Sequence, residues 1–118
     1  MRIPDGQMAA LEHASVGVYV TKCARLLREV YPEETGGITD EALRAELAPI
    51  IDAARGYGLL TEQQIFVYVR TARSVGKDFD QMSPTAQEVL LSTYLDADEK
   101  ALWLHRWTLA MLPEGGAE

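Results

Sequence analysis

Apolar positions recur every three or four residues along most of this chain, and turn residues cut the pattern into about five helical stretches. The first runs from about Gln7 to Val30. Pro4-Asp5-Gly6 opens it, and Tyr31-Pro32 closes it, because a residue before proline is pushed out of the α region. Met8, Leu11, Tyr19, Cys23, Leu26 and Val30 form its predicted apolar stripe. Lys22, Arg25 and Arg28 lie towards the end, where positive charge complements the helix dipole.

A polar linker, Glu33-Glu34-Thr35-Gly36-Gly37, follows. Thr39 then reads as an N-cap, with Asp40 and Glu41 in the first turn and Ile38 and Leu43 at the positions of a hydrophobic staple. Leu43, Leu47, Ile50, Ile51 and Ala54 share one face of this second helix. Pro49 lies inside it, removes a backbone donor and predicts a kink or a split. Gly56 and Gly58 end it.

The third helix has the clearest start. Thr61 and Gln64 fit the capping box, Leu60 and Ile65 the staple. Ile65, Tyr68, Val69, Ala72 and Val75 then fall on one face, and Gly76 predicts a left-handed stop. The β-branched run from Ile65 to Val69 would allow a strand, but the cap, the length and the glycine stop favour the helix. Ser83-Pro84 starts a short helix to about Tyr94. Asp96 and Glu99 make an acidic capping box for a last helix to Leu112, followed by a disordered tail from about 113. Without period-two runs between hairpin turns, the expected fold is all-α. It is a compact single-domain bundle or orthogonal array of about five helices over residues 1–118.

Charge narrows the function classes more than composition does. A net charge of −7 argues against nucleic acid, whose phosphates require clustered Lys and Arg. It suits solubility or a basic partner. Cys23 is the only cysteine, which points to a reducing compartment. Met1-Arg2-Ile3-Pro4-Asp5 lacks the apolar core of a secretory signal, and no apolar run approaches the ~20 residues that span a bilayer. A cytoplasmic protein that does not engage membranes is expected.

Catalytic and cofactor chemistry finds no footing in the residues. Cys23 would need a nearby histidine, yet His13 is ten residues away, about 15 Å along the helix axis and on a different face. The thiol falls on the apolar stripe and reads as buried and inert. One cysteine and two isolated histidines, His13 and His105, do not make a zinc site. Asp78-Phe79-Asp80 begins like a calcium loop, but Ser83 stands where the loop needs glycine. Glycine-rich phosphate motifs are missing, and the paired acids Asp96/Asp98 and Glu33/Glu34 sit in turns, where capping and solvation account for them. The expectation is no enzyme, no cofactor and no metal.

The last helix is apolar on two sides. Leu102 and Leu109 define one, and Trp103, Leu104, Trp107 and Met111 the other. Either the tryptophans pack inside, or that second side docks a partner, since tryptophan and methionine are enriched at interface centres. Asp78-Phe79-Asp80 offers a second candidate. Phe79 can fold into the core while Asp78 and Asp80 stay in solvent, bonding free N–H groups of the turn or a partner. The candidate partner-binding residues are therefore Trp103, Leu104, Trp107, Met111, Asp78 and Asp80.

The stretch from Ala54 to Gln64, then Tyr68, then Gly76-Lys77-Asp78-Phe79-Asp80, resembles small helical proteins encoded beside type VI secretion spike proteins (VgrG and PAAR) and effector adaptors. In that group a "YGI-(T/S)-E" helix start leads to a tyrosine-bearing helix, then "G-x-D-F-D", an apolar helix and a final helix opening on an acidic-lysine turn. The last parts correspond to residues 86–91 and to Asp98-Glu99-Lys100, and residues 7–11 and 26–32 fit more loosely. Leu59 stands where the group has isoleucine, and the aromatic that often precedes the fourth helix is missing. The resemblance implies a non-enzymatic accessory, an adaptor or co-chaperone that helps load a toxin onto the spike by binding an effector, effector adaptor or spike protein. An immunity protein that neutralises a cognate toxin is the alternative, because an acidic surface suits a basic toxin site. An enzyme or ligand-binding domain and a helix-turn-helix module are the remaining classes. The second lacks a basic recognition helix, Arg70 and Arg73 being too few.

Overall fold

Thr39, Thr61, Ser83 and Asp96 each stand at the head of a helix with a side-chain oxygen accepting from a first-turn backbone N–H. These caps fix where four of the helices begin. The computed structural model describes residues 5–112, with side chains from residue 16 onward. All regular structure among them is helical: α1 (Asp5–Val30), α2 (Pro32–Thr35), α3 (Asp40–Gly56), α4 (Glu62–Val75), α5 (Phe79–Met82), α6 (Pro84–Leu91) and α7 (Ala97–Met111). The all-α class holds, with seven helices in place of about five. The additions, α2 and α5, are single turns, too short for an apolar period to register. Pro32 opens α2 at a position where its missing N–H costs nothing. The tail expected from about 113 lies outside the described residues.

By its internal contacts the chain divides into two compact units, Met1–Asp52 and Ala53–Glu118. In the first, α1 buries Val20, Cys23, Ala24 and Leu27, whereas Leu26 and Val30 remain 37% and 49% exposed. The expected stripe was thus rotated. Two apolar sets with helical spacing overlap at Cys23, and periodicity alone does not choose between them. Met8 and Leu11 of that stripe lie outside the described side chains. Arg28 ties the α2–α3 turn to α1: its Nη1 donates to the Thr35 carbonyl at 2.8 Å and its Nη2 to that of Ile38 at 2.7 Å. Its guanidinium also pairs with Asp40 at 2.9 Å.

The expected face of α3 is correct throughout: Leu43, Leu47, Ile50, Ile51 and Ala54 are all buried. The helix runs through Pro49 unsplit. Pro49 and Ala45, whose carbonyl loses its partner, are both exposed, so water can take the missing bond.

In the second unit, α3 ends in a Schellman motif. Leu59 N–H donates to the Ala54 carbonyl and Gly58 N–H to that of Arg55, with Gly58 at φ +94°. Leu59 and Ala54, the pair such a motif brings together, are both fully buried. The Thr61–Gln64 capping box is complete. Ile65 is buried, but its staple partner Leu60 is 54% exposed; the buried residue on the approach to α4 is Leu59. Gly76 ends α4 at φ 148°, ψ 142°, an extended glycine conformation rather than the expected left-handed helical one. α6 stops at Leu91 rather than near Tyr94, and α7 carries its acidic capping box as expected.

Candidate functional site

The first two residues of α5 face inward. Phe79 and Asp80 are both buried, while Asp78 is exposed. The expectation that Asp80 stays in solvent is corrected: the Tyr57 hydroxyl donates to its Oδ2 at 2.6 Å. Tyr68 completes the cluster. Burial foremost, then the hydrogen bond to and charge of Asp80, pushes the Tyr57 hydroxyl up to about 12. Burial and then the Asp80 charge raise Tyr68 further. Both phenols are therefore held as neutral donors around one carboxylate, a buried charge stabilised by hydrogen bonds. From its N-terminal turn, α7 closes on the same place. Lys100, itself buried, donates from Nζ to the Tyr57 carbonyl at 3.1 Å.

From this cluster an aromatic row leads outward. Tyr57 meets Tyr68 at 6.0 Å between ring centroids, Tyr68 meets Phe79 at 5.0 Å, and Phe79 meets Trp107 at 5.8 Å. Trp107 then stacks on Trp103 at 5.5 Å and 17°. The two tryptophans are half-buried, neither sealed in nor free. Leu104, one of the proposed docking residues, is fully buried and belongs to the core. Met111 is more than half exposed at the end of α7. The structure thus joins Trp103, Trp107 and Asp80 into one packed system, with Leu104 interior and Asp78 and Met111 outward.

Helices α4 and α7 lie side by side and run parallel, since each contact advances both. Gln64 Nε2 donates to Asp98 Oδ1 at 2.7 Å, Arg70 Nη2 donates to His105 Nδ1, and the Thr71 and Thr108 hydroxyls bond each other. Residues 76–96, carrying α5 and α6, return the chain to the starting end. Arg70 can only donate, so His105 Nδ1 is the acceptor in this pair. Beside this seam lies a trough of about 270 Å³ lined by Gln63, Gln64, Val67, Asp98, Ala101, Leu102 and His105. Sequence reasoning missed it. The signal available was the exposed face of α7, on which Asp98, Leu102, His105 and Leu109 recur at spacings of four, three and four.

Cys23 is buried and forms no disulfide. Among the described residues no cluster of three His, Cys, Asp or Glu could hold a metal ion, and no helix is long and apolar enough to cross a membrane. Compared with protein-family models, with curated proteins and with solved structures, the chain matches none of them.

Proposed function

We propose that the protein is a non-enzymatic accessory of a bacterial type VI secretion effector operon, acting in the cytoplasm as an adaptor or co-chaperone. It binds an effector, an effector adaptor or a spike protein. The observation that carries this reading is the direction in which the motif residues point. Thr61 and Gln64 close a capping box, Tyr68, Phe79 and Asp80 are buried together, and Gly58 and Gly76 hold backbone that other residues rarely adopt. The segment behind the resemblance contributes these residues to the packing of the second unit. Apolar side chains also face outward, Leu102 and Leu109 on α7 among them. Such a surface does its work by contact.

Co-expression with the effector, adaptor and spike proteins encoded beside it tests this reading. The untagged protein is expected to co-purify with one of them, and toxin delivery is expected to fail without it. Co-purification with none would sink the adaptor role. Protection of cells against the co-encoded toxin, with delivery unaffected, would replace it with immunity.

A further inference from the structure

The trough between α4 and α7 has the form of a helix-docking site. Val67, Ala101 and Leu102 supply apolar lining, and Leu109, more than half exposed, continues the Leu102 face two turns on. Two parallel helices leave a furrow of ridges and grooves that a third helix fills. An extended peptide would fare badly here. The lining presents few backbone hydrogen-bonding groups, because α4 and α7 satisfy their own, so a strand laid in it would leave its amides unpaired. A helix brings its backbone bonds with it.

Charge sets the direction of the occupant. At the starts of α4 and α7 the trough carries a carboxylate: exposed Asp98 lines it, with one oxygen held by Gln64 and the other left for an occupant. Further along come the cationic Arg70 with His105, and Arg106 next on α7. We propose that this trough docks an amphipathic helix of a partner protein. Its apolar residues, spaced by three and four, lie against Val67, Leu102 and Leu109, and a Lys or Arg lies beside Asp98. The proposal rests on the reading of the protein as a binding module and names the surface that module uses.

The probe is a synthetic helix of about 18 residues, long enough to fold on contact, with leucines at heptad spacing and lysines at one end. A twin with glutamates at that end and a proline-broken version serve as controls. Binding to the full chain is followed by anisotropy and by methyl NMR shifts of Val67, Leu102 and Leu109. The lysine-ended helix is expected to shift these methyls and to bind about tenfold more tightly than the glutamate-ended one. Leu102→Ser is expected to weaken it about tenfold, and Asp98→Asn, which keeps an acceptor for Gln64, to remove the preference for lysine. Shifts elsewhere, equal binding of the proline-broken peptide, or binding indifferent to both substitutions would overturn the proposal. Self-association abolished by Leu102→Ser would assign the trough to a second copy and overturn it equally. If Leu102→Ser binds a co-encoded partner as tightly as the native chain does, the trough fails while the adaptor role stands. If the probe docks as described but no co-encoded protein co-purifies with the native chain, the adaptor role fails while the trough stands.

Discussion

The Tyr57 hydroxyl donates to Asp80 at 2.6 Å, joining the turn after α3 to a one-turn helix that begins 22 residues later in the chain. Asp80 is otherwise a buried charge, so its stability depends on the donors around it. Removing one donor with Tyr57→Phe is expected to cost about 1.5 kcal/mol, and Asp80→Ala, which strands both phenols, about 3 kcal/mol. Urea unfolding at neutral pH measures both. Equal, negligible losses would mean that the cluster contributes packing alone.

Alkaline pH probes the same cluster from the other side. Tyr57 is raised from 10.0 to about 12 in the fold, so between those values the unfolded chain has released a proton that the folded chain retains. Stability is therefore complete below pH 10 and falls as pH rises from 10 through 12. The raised Tyr68 acts in the same direction. Urea midpoints measured across this range should fall less steeply in Tyr57→Phe than in the native chain. Parallel slopes would refute the assignment.

Gln64 serves three bonds where a capping box asks for one. Its Oε1 accepts from the backbone N–H groups of Leu60 and Thr61, and its Nε2 donates to Asp98 on α7. Thr61→Ala removes only the cap and should cost roughly 1 kcal/mol. Gln64→Ala should cost about 2 kcal/mol, because it also unfastens the seam between α4 and α7. The difference should shrink when Asp98 is also replaced by Ala, which a double-mutant cycle reads directly.

Legibility in the sequence followed the range of the interaction. Caps at Thr39, Thr61, Ser83 and Asp96 were readable because donor and acceptor lie within four residues. The face of α3 was readable because its apolar residues admit one phase. That of α1 was not, since the helix offers two overlapping apolar sets and only tertiary packing selects Val20, Ala24 and Leu27 over Leu26 and Val30. Asp80 was misplaced for a related reason. Nothing local announces that Tyr57 and Tyr68 converge on it, and an aspartate in a turn is ordinarily solvated. The trough needs the parallel register of α4 and α7, set by pairs 34 to 37 residues apart: Gln64–Asp98, Arg70–His105 and Thr71–Thr108.

Glycines separate local strain from helix propensity. Gly17 lies within α1, and a Cβ added there would meet nothing within 4 Å, so Gly17→Ala should stabilise by about 0.5–1 kcal/mol. Gly76 has equally open surroundings but a φ of +148°, and Gly76→Ala should destabilise by about 1–3 kcal/mol through backbone strain alone. Opposite signs in thermal unfolding are the expected result. Two changes of the same sign would show that space around the Cβ, rather than dihedral angle, governs these sites.

Pro49 gives the sharpest test of how α3 tolerates an interior proline. The helix continues through it from Asp40 to Gly56, carrying buried Leu43 and Leu47 on one side of the proline and Ile50, Ile51 and Ala54 on the other. Burial of these five side chains outweighs the loss of a single backbone bond, whose carbonyl belongs to the exposed Ala45. Proline nevertheless remains a poor helix residue. Pro49→Ala restores the donor and removes the ring's clash with the preceding turn, at the expense of a less restricted unfolded chain. The balance should favour alanine by about 1–2 kcal/mol, read as a higher urea midpoint with an unchanged slope. A lower midpoint would mean that the native path of α3 depends on the proline.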